Sequence, residues 1–176
     1  IDNPAFVAVD DADECLEGLE PVVSFQVYGD VRAYPLQIMM WHEIVNDTVD
    51  GIPVAVTFCP LCNSAIVFDR RLNDQLHTFG TSGMLRNSNL IMWDGQTETW
   101  WQQLTGEGII GQLAGHQLVF IPAQIIPWDD FKANNPEGSV LARETGTGRR
   151  YSVNPYAGYD RVEPTLLVRR CDRRTS

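Results

Sequence analysis

Short apolar and β-branched runs, broken by glycine, asparagine or proline every few positions, set the rhythm of this chain. Val22-Val23-Ser24-Phe25-Gln26-Val27-Tyr28 reads as a strand, followed by a two-residue turn at Gly29-Asp30 and a return strand from Val31 to Tyr34. Pro35 suits the first turn of a helix, and Leu36, Ile38, Met39, Met40 and Trp41 follow without strand alternation, so 35–43 reads as a short helix. Val54 to Phe58 is apolar at nearly every position, the pattern of a strand covered on both faces. Further strands are expected at 65–68, 75–79, 90–93, 107–110 and 117–121, with edge pieces at 140–141 and 150–153. Trp128 to Asn134 reads as a second helix, entered through Ile126-Pro127 and stopped by Asn135-Pro136. Gly80 to Asn89 reads as a glycine-rich connecting loop that lacks the Gly-Lys-Ser/Thr ending of a phosphate-binding loop. The expected architecture is one α+β domain over 1–176, with its core at about 21–159. It is β-rich, with a curved or barrel-like, mainly antiparallel sheet and two or more short helices.

Composition narrows the function classes. The formal net charge of −10 and the acidic lead (Asp10, Asp11, Asp13, Glu14, Glu17, Glu20) argue against a nucleic-acid partner, which requires clustered Lys and Arg. Arg161, Arg169, Arg170, Arg173 and Arg174 form a basic tail, read as solvated. No apolar run approaches the roughly 18 residues of a membrane span. The chain opens on Ile1 instead of Met, and the reading expects a removed export signal or membrane anchor. Of the four cysteines, Cys15 and Cys171 lie near the two ends, where a terminal disulfide is one of two equal alternatives.

The chemistry concentrates at His42-Glu43-Ile44-Val45-Asn46-Asp47 and at Cys59-Pro60-Leu61-Cys62. Thiols at i and i+3 converge on one point, and a hairpin through Gly51-Ile52-Pro53 would return His42 toward them. His42, Cys59 and Cys62 together make a soft ligand set suited to a copper or zinc ion. Glu43 and Asp47 are candidates to orient the imidazole from behind. Met84, Asn87 and Trp100 are candidate pocket residues, with Gly83–Asn89 and Trp93–Trp101 expected to line the thiols' cavity. Trp100 and Trp101 would face opposite sides of an extended segment, one in the core and one over a pocket. His77 and His116 lie in turn-rich contexts and are expected to be exposed. A competing reading makes the pair a redox dithiol in which Cys59 attacks and Cys62 resolves. A third is a non-catalytic interaction module, whose mark would be cysteines sealed in a core. The stretch after the cysteines reads as turn-then-strand, which disfavours a thioredoxin fold. The positions of Glu43 and Pro60 disfavour a zinc deaminase, and Asn46 stands where a metalloprotease needs its second His.

The segments AYPLQIMMWHEIVND, PVAVTFCPLCNSAIVFDR, FGTSGMLRNSNLIMWDGQTETWWQQLTGEGIIG and YSVNPYAGY resemble the domain-of-unknown-function family 3179. The resemblance spans about 21–159 and rests on four motifs in order. It implies that the HEIVND-type and CPLC-type segments belong together, and that the protein works outside the cytoplasm, because members are often exported or membrane-associated. It implies no reaction. The expectation carried forward is an extracytoplasmic soft-metal binding protein, acting in metal delivery or metal-dependent redox chemistry, whose partner is a metal ion or a small-molecule substrate.

Overall fold

The computed structural model describes residues 1–158. The chain runs β1 (Phe6–Ala8), α1 (Val9–Asp13), β2 (Pro21–Val27), β3 (Asp30–Pro35), α2 (Leu36–His42), β4 (Ile44–Val49), β5 (Ile52–Cys59) and β6 (Ser64–Asp69). It continues through β7 (Arg71–Leu72), β8 (Gln75–Leu76), β9 (Phe79–Arg86), β10 (Asn89–Asp94), β11 (Trp100–Gln102) and β12 (Glu107–Ile110). The last elements are β13 (Phe120–Ile121), β14 (Gln124–Pro127), α3 (Trp128–Asn134) and β15 (Ser139–Leu141). The β-rich α+β class stands. The sheets do not curl into a barrel, however, and each retains two edges: β1-β15-β3-β2-β14, β13-β6-β5-β4, β12-β11-β10-β9 and the small β7-β8 pair. Among the described residues, all strand pairings are antiparallel except that of β15 with β3.

Stacking takes the place of closure. The β13-β6-β5-β4 sheet lies in the middle, and residues along β5 alternate between two cores. Val54, Val56 and Phe58 pack with Val23, Phe25, Tyr34 and Met39, whereas Ala55 and Cys59 pack with Phe68, Leu90, Met92 and Trp101. This explains the unbroken apolar run of β5, because both of its faces are covered. A third core joins α1 and α3 to the outer sheet through Val9, Leu16, Val22, Trp128 and Phe131.

Turn chemistry sets the registers. Val27 pairs with Asp30, so the first hairpin turns at Tyr28-Gly29 (φ 49° and 101°), one position before the expected site. Exposed Tyr28 takes the left-handed position ahead of the glycine. Asp50-Gly51 makes the β4–β5 turn with φ of 43° and 77°. The expected Gly80–Asn89 loop is instead strand β9 followed by a tight Asn87-Ser88 turn (φ 52° and 61°). Its first glycine serves close packing: a Cβ on Gly80 would lie 2.9 Å from Trp93 Nε1. Residues 150–153, expected as an edge strand, form a turn that buries Tyr151. The basic tail and Cys171 lie outside the described residues, so the terminal disulfide does too; Cys15 is exposed.

Candidate functional site

The cysteine pair occupies the β5–β6 hairpin. Cys59 ends β5 and pairs with Ser64, and the four residues between them turn through Asn63 at φ 48°. No helix follows the dithiol, since Ser64–Asp69 is strand, so no helix dipole acts on either thiol. The sulfurs experience different surroundings. Cys59 is 1% exposed within the second core, while Cys62 stands in solvent at the hairpin tip. Ser64 Oγ lies 3.0 Å from Cys62 Sγ, and Asn89 Nδ2 donates to the same sulfur at 3.2 Å. Cys62 Sγ also lies 3.9 Å from Cys59 O, to which its thiol can donate.

A buried amide network holds those donors in place. Gln103, fully buried, donates through Nε2 to Ser64 O at 3.2 Å and to Thr57 Oγ1 at 3.1 Å. A carbonyl only accepts, so Gln103 Oε1 must face the other way. There it receives Asn89 Nδ2 at 2.7 Å and Ser64 Oγ at 3.0 Å. Asn89 Oδ1 in turn accepts from Leu104 N at 2.9 Å and Gln102 Nε2 at 2.5 Å, which directs the Asn89 amide nitrogen at Cys62. Ser64 has a single hydroxyl hydrogen. When Cys62 is a thiol, Ser64 donates to Gln103 and accepts from sulfur; when Cys62 is a thiolate, the same hydrogen swings to sulfur. Burial pushes the Cys62 thiol up, but hydrogen bonds with Cys59, Ser64 and Asn89 outweigh it and hold Cys62 below the ordinary thiol range. Burial and the hydrogen bond with Cys62 push the Cys59 thiol up. The pair is thus split into an exposed sulfur whose thiol is held below the ordinary range and a buried one pushed above it.

His42 does not join them. It ends α2 on the side of the first core, where its Nε2 meets Tyr151 Oη at 2.7 Å and Thr145 Oγ1 at 3.5 Å. Cys59 faces the second core across the β5 layer. Burial, the Ile1 amino group and Arg149 lower the His42 imidazole to about 4, so it is neutral at pH 7. Among the described residues, no group of three His, Cys, Asp or Glu side chains is placed to hold a metal ion. Glu43 sits at φ 59°, ψ −32° and accepts from Tyr156 Oη at 2.9 Å rather than bracing the imidazole. Asp47 lies opposite Val54, toward the far end of the hairpin. It binds Tyr34 Oη at 2.5 Å, Arg32 Nη1 at 2.7 Å and the Thr48 amide at 2.6 Å.

A family model described as "Protein of unknown function (DUF3179)" matches residues 1–176. The chain belongs to the DUF3179 family. No curated protein and no solved structure matches it.

In this DUF3179 chain the remaining pocket candidates divide between two places. Met84 and Trp100 line a groove of about 550 Å³ on the outer face of the β9–β12 sheet, a groove the cysteines do not line. Asn87 belongs to the exposed β9–β10 turn, whose next residue, Ser88, offers its carbonyl 4.0 Å from Cys59 Sγ. Trp101 is the core indole, donating to Asp94 Oδ2 at 2.9 Å, while Trp100 is half-buried on the other face. His77 is 1% exposed and bonded through Nδ1 to Asp94 at 3.2 Å; His116 is exposed. Sequence reasoning missed Ser64, Asn89 and Gln103. The available signal was polar: an amide beginning one apolar strand and a Gln-Gln pair ending another, both at positions where a core strand would carry apolar residues. No described helix is long and apolar enough to cross a membrane.

Proposed function

We propose that this protein is a thiol–disulfide oxidoreductase in which Cys62 attacks and Cys59 resolves, the reverse of the order expected from sequence. The observation that carries the reading is the exposed Cys62 sulfur held by Ser64 and Asn89 beside the buried Cys59 thiol. The Cys62 thiolate attacks one sulfur of a substrate disulfide. A mixed disulfide forms and the other substrate sulfur leaves as a thiolate. The Cys59 sulfur, giving its proton to a departing substrate thiolate, then attacks Cys62. The second substrate sulfur departs and a Cys59–Cys62 disulfide remains. Two electrons pass from the dithiol to the substrate, and a dithiol reductant restores the starting state. Burial keeps Cys59 protonated until the mixed disulfide forms. We place this chemistry outside the cytoplasm, where disulfide substrates persist.

The test uses reduced protein in a Cys15→Ser/Cys171→Ser background with stoichiometric oxidised glutathione. The reading expects two equivalents of glutathione released and an internal disulfide in the product. Release of one equivalent, with the glutathionyl group retained on wild-type Cys62, would contradict it.

A second reading keeps a soft metal. Two thiols three residues apart at one hairpin tip suit two-coordinate copper(I), whereas zinc's tetrahedral requirement finds no further ligand group among the described residues. On this reading Cys59→Ser/Cys62→Ser abolishes stoichiometric copper(I) binding and His42→Ala does not, as measured by competition with a cuprous chelator.

A further inference from the structure

We infer that the outer groove of the β9–β12 sheet seats the chain flanking the reacting sulfur, so that the substrate is an extended polypeptide with apolar residues near its disulfide. The inference rests on the dithiol reading above and adds the class of substrate. Three observations carry it. The groove, of about 550 Å³, is walled by Met84, Leu85, Ile91, Trp100 and Ile110, with Arg86 at its edge. Met84, Leu85 and Ile110 remain 49%, 48% and 59% exposed, so it is an unfilled apolar surface on a strongly acidic protein.

The groove is also bounded by an open strand edge. β9 is the last strand of its sheet, and the Asn46 side chain caps that edge at Phe79, donating through Nδ2 to Phe79 O at 2.8 Å and accepting from Phe79 N at 2.9 Å through Oδ1. From Gly83 onward the strand is exposed and no other strand pairs along its outer edge among the described residues; Met84 N turns in to Ser82 Oγ at 3.1 Å, and the edge that remains complements an extended backbone.

The groove finally leads to the sulfur. Arg86, which lines it, is the cross-strand partner of Asn89, and Asn89 donates to Cys62 Sγ at 3.2 Å. Gln102 ties the two together, donating to Arg86 O at 3.3 Å and to Asn89 Oδ1 at 2.5 Å. One ladder step, on the order of 5 Å, therefore separates the groove from the residue that holds the attacking thiolate. A chain lying along β9 brings a cysteine to Cys62 when its apolar side chains, a few residues away, fill the groove. Arg86 and Glu107 put one charge of each sign on the lining, so shape and apolar contact, not charge, select the ligand.

The test compares two octapeptides carrying one cysteine as a mixed disulfide with thionitrobenzoate. They differ only at two positions beyond the cysteine, Leu-Phe in one and Ser-Ser in the other. Oxidised glutathione serves as a third substrate. The second-order rate of wild-type protein should favour the Leu-Phe peptide by about tenfold, equivalent to about 1.4 kcal/mol. In Trp100→Ser, and separately in the more exposed Ile110→Ser, the ratio of the two peptide rates should fall toward one. That ratio is internal to each variant and so is insensitive to thiol reactivity. Equal rates for the two peptides in wild type, or an undiminished ratio in both variants, would overturn the inference while leaving the dithiol reading intact. Failure to react with any of the three disulfides would overturn both.

Discussion

Replacing Asn89 with alanine separates the role of its amide at the sulfur from its role in the fold. The side chain makes four hydrogen bonds: to Cys62 Sγ at 3.2 Å, Gln103 Oε1 at 2.7 Å, Leu104 N at 2.9 Å and Gln102 Nε2 at 2.5 Å. Two of the partners retain another contact, Gln103 Oε1 with Ser64 and Gln102 Nε2 with Arg86 O. The Leu104 amide loses its side-chain acceptor. At about 1 kcal/mol net per hydrogen bond, and more for a donor left unpaired, the total is roughly 2–4 kcal/mol. For a chain of this length that lowers Tm by roughly 5–15 °C. The reactive effect is separate. A hydrogen bond to a charged group contributes roughly 1.5–3 kcal/mol, and exposure of Cys62 places it at the lower end. Losing it raises the Cys62 pKa and reduces the thiolate present at pH 7 by about tenfold. The greater nucleophilicity of a more basic sulfur recovers about half of that on a logarithmic scale. Alkylation by iodoacetamide at pH 7, read at Cys62 by peptide mass spectrometry, should therefore slow about three- to tenfold, and its pH midpoint should move upward. A folded Asn89→Ala protein alkylated at the wild-type rate with the wild-type midpoint would refute the argument that this amide stabilises the thiolate.

The His42 imidazole titrates at about 4 in the fold against its ordinary 6.5, so between these values the unfolded chain binds the proton first. Stability is fully present above pH 6.5 and is lost as pH falls toward 4; Tm measured across pH 4–7 should fall less steeply in His42→Gln. Asp94, fully buried, accepts from Trp101 Nε1, His77 Nδ1 and the Gln96 and Thr97 amides. Asp94→Ala strands the buried Trp101 and His77 donors and should cost about 3–5 kcal/mol, read as a lower urea midpoint with an unchanged m-value.

Strands β2, β3, β5, β6, β10 and β12 and the second and third helices were legible because their signals are local. The unbroken apolar run of β5 announced two covered faces, and Pro35, Pro127 and Pro136 bounded α2 and α3. Asn63 and the short apolar run after it marked the stretch past the dithiol as turn-then-strand, and the structure places β6 there. What failed depended on facing. Which side of the middle sheet His42 occupies follows from alternation along β5 and from Tyr151, more than a hundred residues away, and neither is written in the HEIVND segment. Gly80 looked like loop chemistry, but its missing side chain makes room for Trp93 inside a sheet. His77 was placed outside because its neighbours are turn-formers, whereas Asp94 buries it. Ser64, Asn89 and Gln103 came into view only through the contacts that join β6, β10 and the end of β11 at Cys62.

The most direct test of the central claim is a trap. In the Cys15→Ser/Cys171→Ser background, Cys59→Ser and Cys62→Ser proteins are each exposed to oxidised glutathione, quenched with acid and mapped by mass spectrometry. The account predicts a stable glutathione adduct on Cys62 of the Cys59→Ser protein, formed at the wild-type initial rate or close to it, and almost none on Cys59 of the Cys62→Ser protein. A fast adduct on Cys59, with Cys62 left unmodified in its partner variant, would contradict it.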